Sequence, residues 1–264
     1  MKRMGMALLL VGLSGVSTIG YGETLSGLCM VSSAHNVVRD LDTADLLLHR
    51  TGCDNEEYHC GNSENSNIAW SRWSGVSPEA LRQEGAVLTA EMKGEAGALR
   101  CSGTVHEGIL AGKYEFTPNA EFVQKMAAMG FDEITTRKQE GFLTLDVTTG
   151  WVRQVKDAGV TELSTNKLMG LRALHVDPEY IRAMAAAGYP ELRANKLTEM
   201  KAVGVTPEKA AEAKSLGFNP SEQELIQMSI FKIDRPFVER MRSKGLNDLT
   251  LAKLIKVKIF KLEE

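Results

Sequence analysis

The chain has 264 residues, of which 43% are hydrophobic and 25% are charged, and its formal net charge is −3. A charge this close to neutral does not favour a nucleic-acid-binding protein, which typically carries a strongly basic surface. After the N-terminal segment, no stretch approaches the roughly 20 apolar residues that a transmembrane helix requires, so the sequence predicts no membrane span in the mature chain.

The first 22 residues have the pattern of a secretory signal peptide. Lys2 and Arg3 precede an apolar run over residues 6–16, and small residues before Glu23 suit cleavage at that point. The apolar run is too short to span a bilayer as a helix. We therefore expect cleavage before Glu23 and a periplasmic or secreted protein; retention of the segment as an N-terminal anchor is the alternative.

Charge divides the rest of the chain into two parts. Residues 23–115 carry 14 acidic and 7 basic residues, whereas residues 116–264 carry 20 acidic and 22 basic residues. This asymmetry supports two domains of different character. Neither part is basic enough to predict binding to nucleic acid.

All four cysteines lie in the acidic part of the chain. An even number of cysteines in an exported protein predicts disulfides. Three pairings are possible. We favour Cys53 with Cys60, which closes a short polar loop, and Cys29 with Cys101, which ties the N-terminal arm to a strand.

A metal site is the alternative to the disulfide of the polar loop. His49 and His59 lie close in sequence to Cys53 and Cys60. Zinc sites usually show tighter paired spacings, such as C-x-x-C, so we expect neither a metal nor another cofactor.

Alternating apolar and polar residues predict a small antiparallel sheet of about five strands in this part. The pattern is clearest over residues 98–105, where Leu99, Cys101 and Val105 alternate with polar neighbours, as in a sheet with one buried face. The other expected strands cover residues 45–50, 67–73, 87–92 and 109–116, and a helical turn is expected over residues 77–81.

Trp70 and Trp73 are the candidate binding residues of the sheet. Side chains of a strand alternate between two faces, so residues three apart cannot both face the core. One of the two rings is therefore expected to be partly exposed. An exposed tryptophan beside a disulfide loop suits a ligand; the alternative is that the ring covers a sheet edge or packs on the helices.

The histidines of the acidic part give no catalytic pattern. His49, His59 and His106 have no nearby Ser or Cys in a recognisable nucleophile motif. A hydrolase would require them to meet carboxylates such as Asp54 or Glu107 in one pocket.

Five glycines recur in the second part at spacings of 29, 29, 29 and 28 residues: Gly130, Gly159, Gly188, Gly217 and Gly245. A fixed period of this length indicates stacked supersecondary units. In the clearest copy Asp177 suits an N-cap, Pro178 suits the first helical position, and Gly188 suits a left-handed helix end. The period predicts about five helix-pair units, numbered one to five after these glycines, and an α+β fold in which an α-helical repeat array over residues 116–264 follows the sheet.

In most copies, apolar residues eight, seven and four positions before the glycine predict the buried stripe of the first helix, as Tyr180 and Met184 do in unit three. We expect the second helices to begin near Thr135, Ser164, Asn195, Ser221 and Asn247. Unit one departs from the pattern at Gln139, and unit four departs at Lys209 and Ala210. The weak fourth unit is expected to mark a bend in the array or a contact with another molecule.

Two long segments carry a resemblance to a known family. The run Val-Asp-Pro-Glu-Tyr-Ile-Arg-Ala-Met-Ala-Ala-Ala-Gly-Tyr-Pro-Glu-Leu over residues 176–192 resembles helical repeats appended to some bacterial membrane-embedded zinc peptidases of the beta-lactam sensor-transducer type. Residues 94–119 resemble the beta segment that joins those repeats. The resemblance covers the chain from about residue 65 and implies an extracytoplasmic region with a sensory or interacting role. Catalysis does not carry over, because the H-E-x-x-H zinc motif and the several transmembrane helices of the peptidase part are missing from this sequence.

These patterns predict an exported, non-catalytic protein that binds another protein or a cell-envelope component through its helical surface. The first alternative is an envelope sensor that binds a small ligand near Trp70, Trp73 and the loop from Cys53 to Cys60. A hydrolase of unknown substrate is the lesser alternative.

Overall fold

The computed structural model describes residues 22–33, 43–51, 62–246 and 248–262. These residues form seven β-strands, which precede ten α-helices in the chain. The fold class is α+β, as expected from the sequence. The predicted signal segment up to residue 21, the pair Cys53 and Cys60, and Asn247 lie outside the described residues.

All the strands belong to one antiparallel sheet. They are β1 Leu25–Ser33, β2 Thr43–Arg50, β3 Asn62–Ala69, β4 Trp73–Ser74, β5 Val87–Gly94, β6 Gly97–His106 and β7 Ile109–Pro118. Their order in the sheet is β3-β2-β1-β7-β6-β5-β4, and each neighbouring pair runs antiparallel. Short hairpins therefore join β5, β6 and β7, as their spacing predicts.

Two expectations about the strands were wrong. The sequence pattern did not indicate β1, and the single strand expected over residues 67–73 is interrupted. There β3 ends at Ala69, the 3₁₀ helix Trp70–Arg72 follows, and the chain re-enters the sheet as β4. A second 3₁₀ helix, Ala80–Arg82, occupies the place of the expected helical turn.

The sheet is curled because its two edge strands are neighbours in sequence. Only Trp70–Arg72 separate β3 from β4. Four Cα steps span at most about 15 Å, whereas a flat sheet would place the outer two of seven strands about 29 Å apart. The link therefore brings the two edges toward each other and gives the sheet a concave side.

Glycines permit the tight curvature between β6 and β7. Gly103 and Gly112 face each other in register, and a Cβ on either would lie 2.0 Å from a backbone oxygen of the opposite strand. Gly112 also lies opposite Cys29 of β1. With no side chain at Gly112, the disulfide from Cys29 to Cys101 crosses β7 with its two Cα atoms 6.0 Å apart. This confirms one of the two expected pairings.

The buried face of the sheet packs around one helix. Alternate residues of the long strands point to the concave side, and the fully buried ones include Leu46, Leu48, Met92, Leu99 and Phe116. The helix α2 contacts β5, β6 and β7 on this side. It therefore joins the core of the sheet to the helical part of the chain.

Each α-helix among the described residues has nine residues. The first helices of the five units are α1 Ala120–Ala128, α3 Thr149–Asp157, α5 Pro178–Ala186, α7 Pro207–Ser215 and α9 Arg235–Ser243. The second helices are α2 Thr136–Thr144, α4 Thr165–Ala173, α6 Ala194–Ala202, α8 Glu222–Ile230 and α10 Leu251–Ile259. Equivalent helices begin 28 or 29 residues apart, which agrees with the period of the glycines.

The five glycines end the first helices in the expected manner. Their φ angles lie between 88° and 94°, in the left-handed region. In unit three the N–H of Tyr189 donates to the carbonyl of Met184 over 3.0 Å, which closes a Schellman turn. The N-caps of the second helices are Thr135, Ser164, Arg193, Ser221 and Thr250. Thus α6 begins slightly before the expected Asn195, and α10 begins after the expected Asn247.

The helices pack in two columns. In one column α1, α3, α5 and α7 contact each other in turn, and in the other α4, α6, α8 and α10 do so. The helix α2 packs on the sheet, and its Gly141 also lies against Met169 of α4. Among the described residues, no helix has the length and apolar character needed to cross a bilayer.

Candidate functional site

The structure places the two candidate tryptophans in different environments. Trp73 on β4 is 7% exposed, and Trp70 in the 3₁₀ helix is half-buried against the core. This agrees with the expectation that one of them is partly exposed. Neither indole N–H has a hydrogen-bond partner among the described residues. Trp73 is closed to solvent, so only Trp70 retains surface for a contact.

The link between the edge strands is fixed to the end of α2. The Arg72 guanidinium donates to the carbonyls of Leu143 and Thr144 over 2.6 Å and 2.8 Å. Burial lowers the pKa of Arg72, while the charge of Asp146 at 3.5 Å opposes this shift. Cations suit helix C-termini, where carbonyls lack intrahelical partners. The segment that carries the tryptophans therefore has a structural role: it fastens the edge strands of the sheet to the end of α2.

The described histidines of the predicted hydrolase set have separate partners. His49 on β2 hydrogen-bonds to Asn62 at 2.8 Å, and His106 at the end of β6 bonds to Glu84 at 2.9 Å. A backbone bond from Glu107, followed by the bond from His106, lowers the pKa of Glu84. Within the described ranges, no group of three His, Cys, Asp or Glu residues is arranged to hold a metal ion. Of the remaining predicted partners, His59 and Asp54 lie outside the described residues.

A buried polar cluster explains why unit one departs from the helical pattern. Arg50 on β2 and Glu140 on α2 form an ion pair, with side chains that are 11% and 1% exposed. The Tyr114 phenol lies in the same cluster, and its pKa is raised by burial and then by the Glu140 charge. The neighbouring Gln139 accepts a hydrogen bond from the N–H of Asn119 at 3.1 Å. These polar residues fit because the side of α2 that carries them faces the sheet rather than another helix.

Unit four departs from the pattern for a different reason. The third residue of the first helix is aromatic in every other unit and is Lys209 in α7. The seventh residue is Met or Val in the other units and is Ala213 in α7. The smaller side chains at Ala210 and Ala213 are buried, but they do not fill the space that the larger ones occupy elsewhere.

A cavity of about 180 Å³ opens at this place, between α7, α8 and the start of α9. Its apolar wall is formed by Val205, Ala213, Leu216, Leu225, Met228 and Ile233. Its polar rim is formed by Lys209, Glu212, Ser229, Lys232 and Asp234. We call this feature the unit-four cavity.

Cation–ring pairs in other units show that the unit-four cavity lacks an aromatic ring. In units two, three and five, the aromatic third residue of the first helix lies under a cation from the eighth residue of the second helix. The pairs and their distances are Trp151 with Arg172 at 5.4 Å, Tyr180 with Lys201 at 4.5 Å, and Phe237 with Lys258 at 4.2 Å. In unit four the same two positions hold Lys209 and Ser229, whose polar atoms lie 3.4 Å apart. In unit four the cation therefore comes from the first helix instead of the second, and these two positions supply no aromatic ring.

The polar side chains around the cavity are held in place by backbone groups. Lys209 donates to the carbonyl of Gly204 over 2.7 Å, and the Ser229 hydroxyl donates to that of Val203 over 2.5 Å. Both carbonyls belong to the C-terminal end of α6. These bonds keep the Lys209 amino group beside the place of the missing ring. Sequence reasoning singled out Lys209, but it did not locate the cavity.

Comparison of the chain with protein-family models, with curated proteins and with solved structures finds no match to any of them.

Proposed function

We propose that this protein is an exported, non-catalytic binding protein of the cell envelope that engages a partner through its helical units. The observation that carries the proposal is the unit-four cavity. It is an apolar depression at the surface of a set of helices whose equivalent positions are filled in the other units. An apolar cavity with a polar rim is the usual form of a binding site.

Two further features support the location and the mode of action. The disulfide from Cys29 to Cys101 is typical of proteins that fold in an oxidising compartment. The resemblance of residues 94–119 and 176–192 to extracytoplasmic segments of membrane zinc peptidases supports a sensory or interacting role. The burial of Trp73 gives no support to a ligand site built on both tryptophans of the sheet.

Site-specific photo-crosslinking in bacterial cells that export the chain tests this proposal. A benzophenone amino acid replaces Lys232 at the cavity rim, or the exposed residues Arg137 on α2 and Leu28 on β1 as matched controls. We expect one discrete crosslinked product from position 232 and none from the two controls. Equal products from all three positions, or none from any, would contradict the proposal. Mass spectrometry of the exported chain tests cleavage before Glu23 in the same cells.

A further inference from the structure

We infer that the unit-four cavity binds an aromatic side chain of the partner, presented on an acidic peptide segment. This inference rests on the proposed function, because it names the chemistry of the group that the helical units engage. It is carried by the comparison between units, by the volume of the cavity and by the charges on its rim.

The comparison between units identifies the group that fits. In unit three the equivalent space holds the ring of Tyr180, whose hydroxyl donates to the carbonyl of Val205 at the entry to unit four. The corresponding entry to unit five is Ile233, which lines the cavity. A ring in the cavity would therefore lie between α7 and this entry, as Tyr180 lies between α5 and its own. The amino group of Lys209 would then stand beside that ring in place of the usual cation.

The volume limits the occupant to a single ring. Apolar cavities of about 150 Å³ accept benzene, whereas pockets for complete drug-sized ligands measure about 300–1,000 Å³. At about 180 Å³ the unit-four cavity holds one ring and leaves the rest of the molecule outside. This favours a side chain whose own backbone crosses the mouth of the cavity.

The charges at the rim favour acidic neighbours for that side chain. Glu212 lies 3.5 Å from Arg235, and Asp234 accepts the N–H of Phe237 at the start of α9, so both acids already have partners. Lys232 is exposed and has no ion-pair partner within the described part of the chain. With Lys209, it gives the mouth two amino groups for flanking carboxylates. Such contacts steer binding and weaken as salt is added.

Methyl NMR of the full mature chain tests the inference directly. Met228 lines the cavity, and its ε-methyl signal is assigned through the Met228→Leu variant. The probe is the peptide acetyl-Glu-Phe-Glu-amide, compared with versions in which Leu replaces Phe or Lys replaces Glu. We expect the Phe peptide to cause a saturable upfield shift of this methyl signal. The Leu and Lys versions are expected to bind at least about tenfold more weakly.

A cavity-filling variant distinguishes binding in the cavity from nonspecific binding elsewhere on the protein. Ala213→Met introduces the methionine that units one, three and five carry at this position, so that a side chain of the protein itself fills the cavity. The matched control is Ala211→Met, an identical change at an exposed position of the same helix. We expect Ala213→Met to weaken binding of the Phe peptide about tenfold or more while the circular dichroism is unchanged, and Ala211→Met to change it by less than about twofold.

The outcomes distinguish this inference from the proposed function. No saturable shift at Met228 up to about 10 mM peptide, or equal binding by wild type and Ala213→Met, would overturn the aromatic site. If the crosslink from position 232 then persists, the proposed function stands without it. If no crosslink forms from position 232 either, both fail. Equal affinity for the Glu and Lys peptides would overturn only the inferred preference for acidic residues beside the aromatic side chain.

Discussion

Reduction of the disulfide across β7 should destabilise the sheet by an amount set by the loop it closes. The link joins Cys29 to Cys101 across a sequence separation of 72 residues. In the chain-entropy model, a loop of this length contributes about 4.4 kcal/mol to the free energy of unfolding at 25 °C. For a cooperative unit of 60–100 residues, each kcal/mol shifts the melting temperature by about 4–8 °C. We therefore expect a large drop in the melting temperature of the sheet.

The assay uses one protein with and without a reducing agent, so that the two states compared differ only in the disulfide. Cys53 and Cys60 are replaced by Ala, and Trp151→Phe leaves only Trp70 and Trp73 as fluorescent probes of the sheet. Urea unfolding is followed by tryptophan fluorescence, and the helices are followed by circular dichroism at 222 nm. A loss below about 1 kcal/mol on reduction would refute the reasoning, since it would mean that the link constrains the unfolded chain very little.

Three further results follow from the structure. Glu140→Leu alone should cost about 3–5 kcal/mol in urea unfolding because it removes the acidic partner of the buried Arg50 guanidinium, and adding Arg50→Met should recover at least half of that loss; no recovery would contradict the pairing. Gly159→Ala should cost about 1–2 kcal/mol, since its φ is 89° and nothing lies within 4 Å of a new Cβ, whereas Gly150→Ala inside the same helix should be neutral or stabilising. Burial raises the pKa of Tyr180 to about 12, so its phenol stays protonated in the folded chain as pH rises above 10, and the stability it contributes is lost between pH 10 and 12. Absorbance at 295 nm should show a component that titrates near 12 and that disappears in Tyr180→Phe.

Local signals in the sequence predicted the helical units well because the relevant physics is local. A glycine such as Gly188 ends a helix through its own backbone freedom, and the capping box from Ser221 to Glu224 closes within one turn. The alternation of apolar and polar residues in β6 predicted that strand equally well. In β1 the pattern was hidden, because Leu28 and Met30 on its outer face are 51% and 40% exposed and therefore mask the period of two.

Features that depend on distant partners escaped sequence reasoning. Glu140 is buried because the neighbour of α2 is the curled sheet, and nothing near Glu140 in sequence identifies Arg50 as its partner. The break between Trp70 and Trp73 follows from the need to connect the two edges of the sheet. In unit four the departure at Lys209 and Ala210 was recognised from the sequence, but whether neighbouring helices collapse onto smaller side chains is decided by packing.

The uniform length of the helices has a consequence for how this protein moves. A helix of nine residues is too short to persist alone in water, so each one depends on its neighbours for its structure. Beyond α7 the column of first helices continues through polar links, in which Arg242 donates to the carbonyl of Leu216 and Arg235 to the hydroxyl of Ser215. A group that fills the unit-four cavity would also stiffen the array, so that its binding stabilises the helices along the whole C-terminal end.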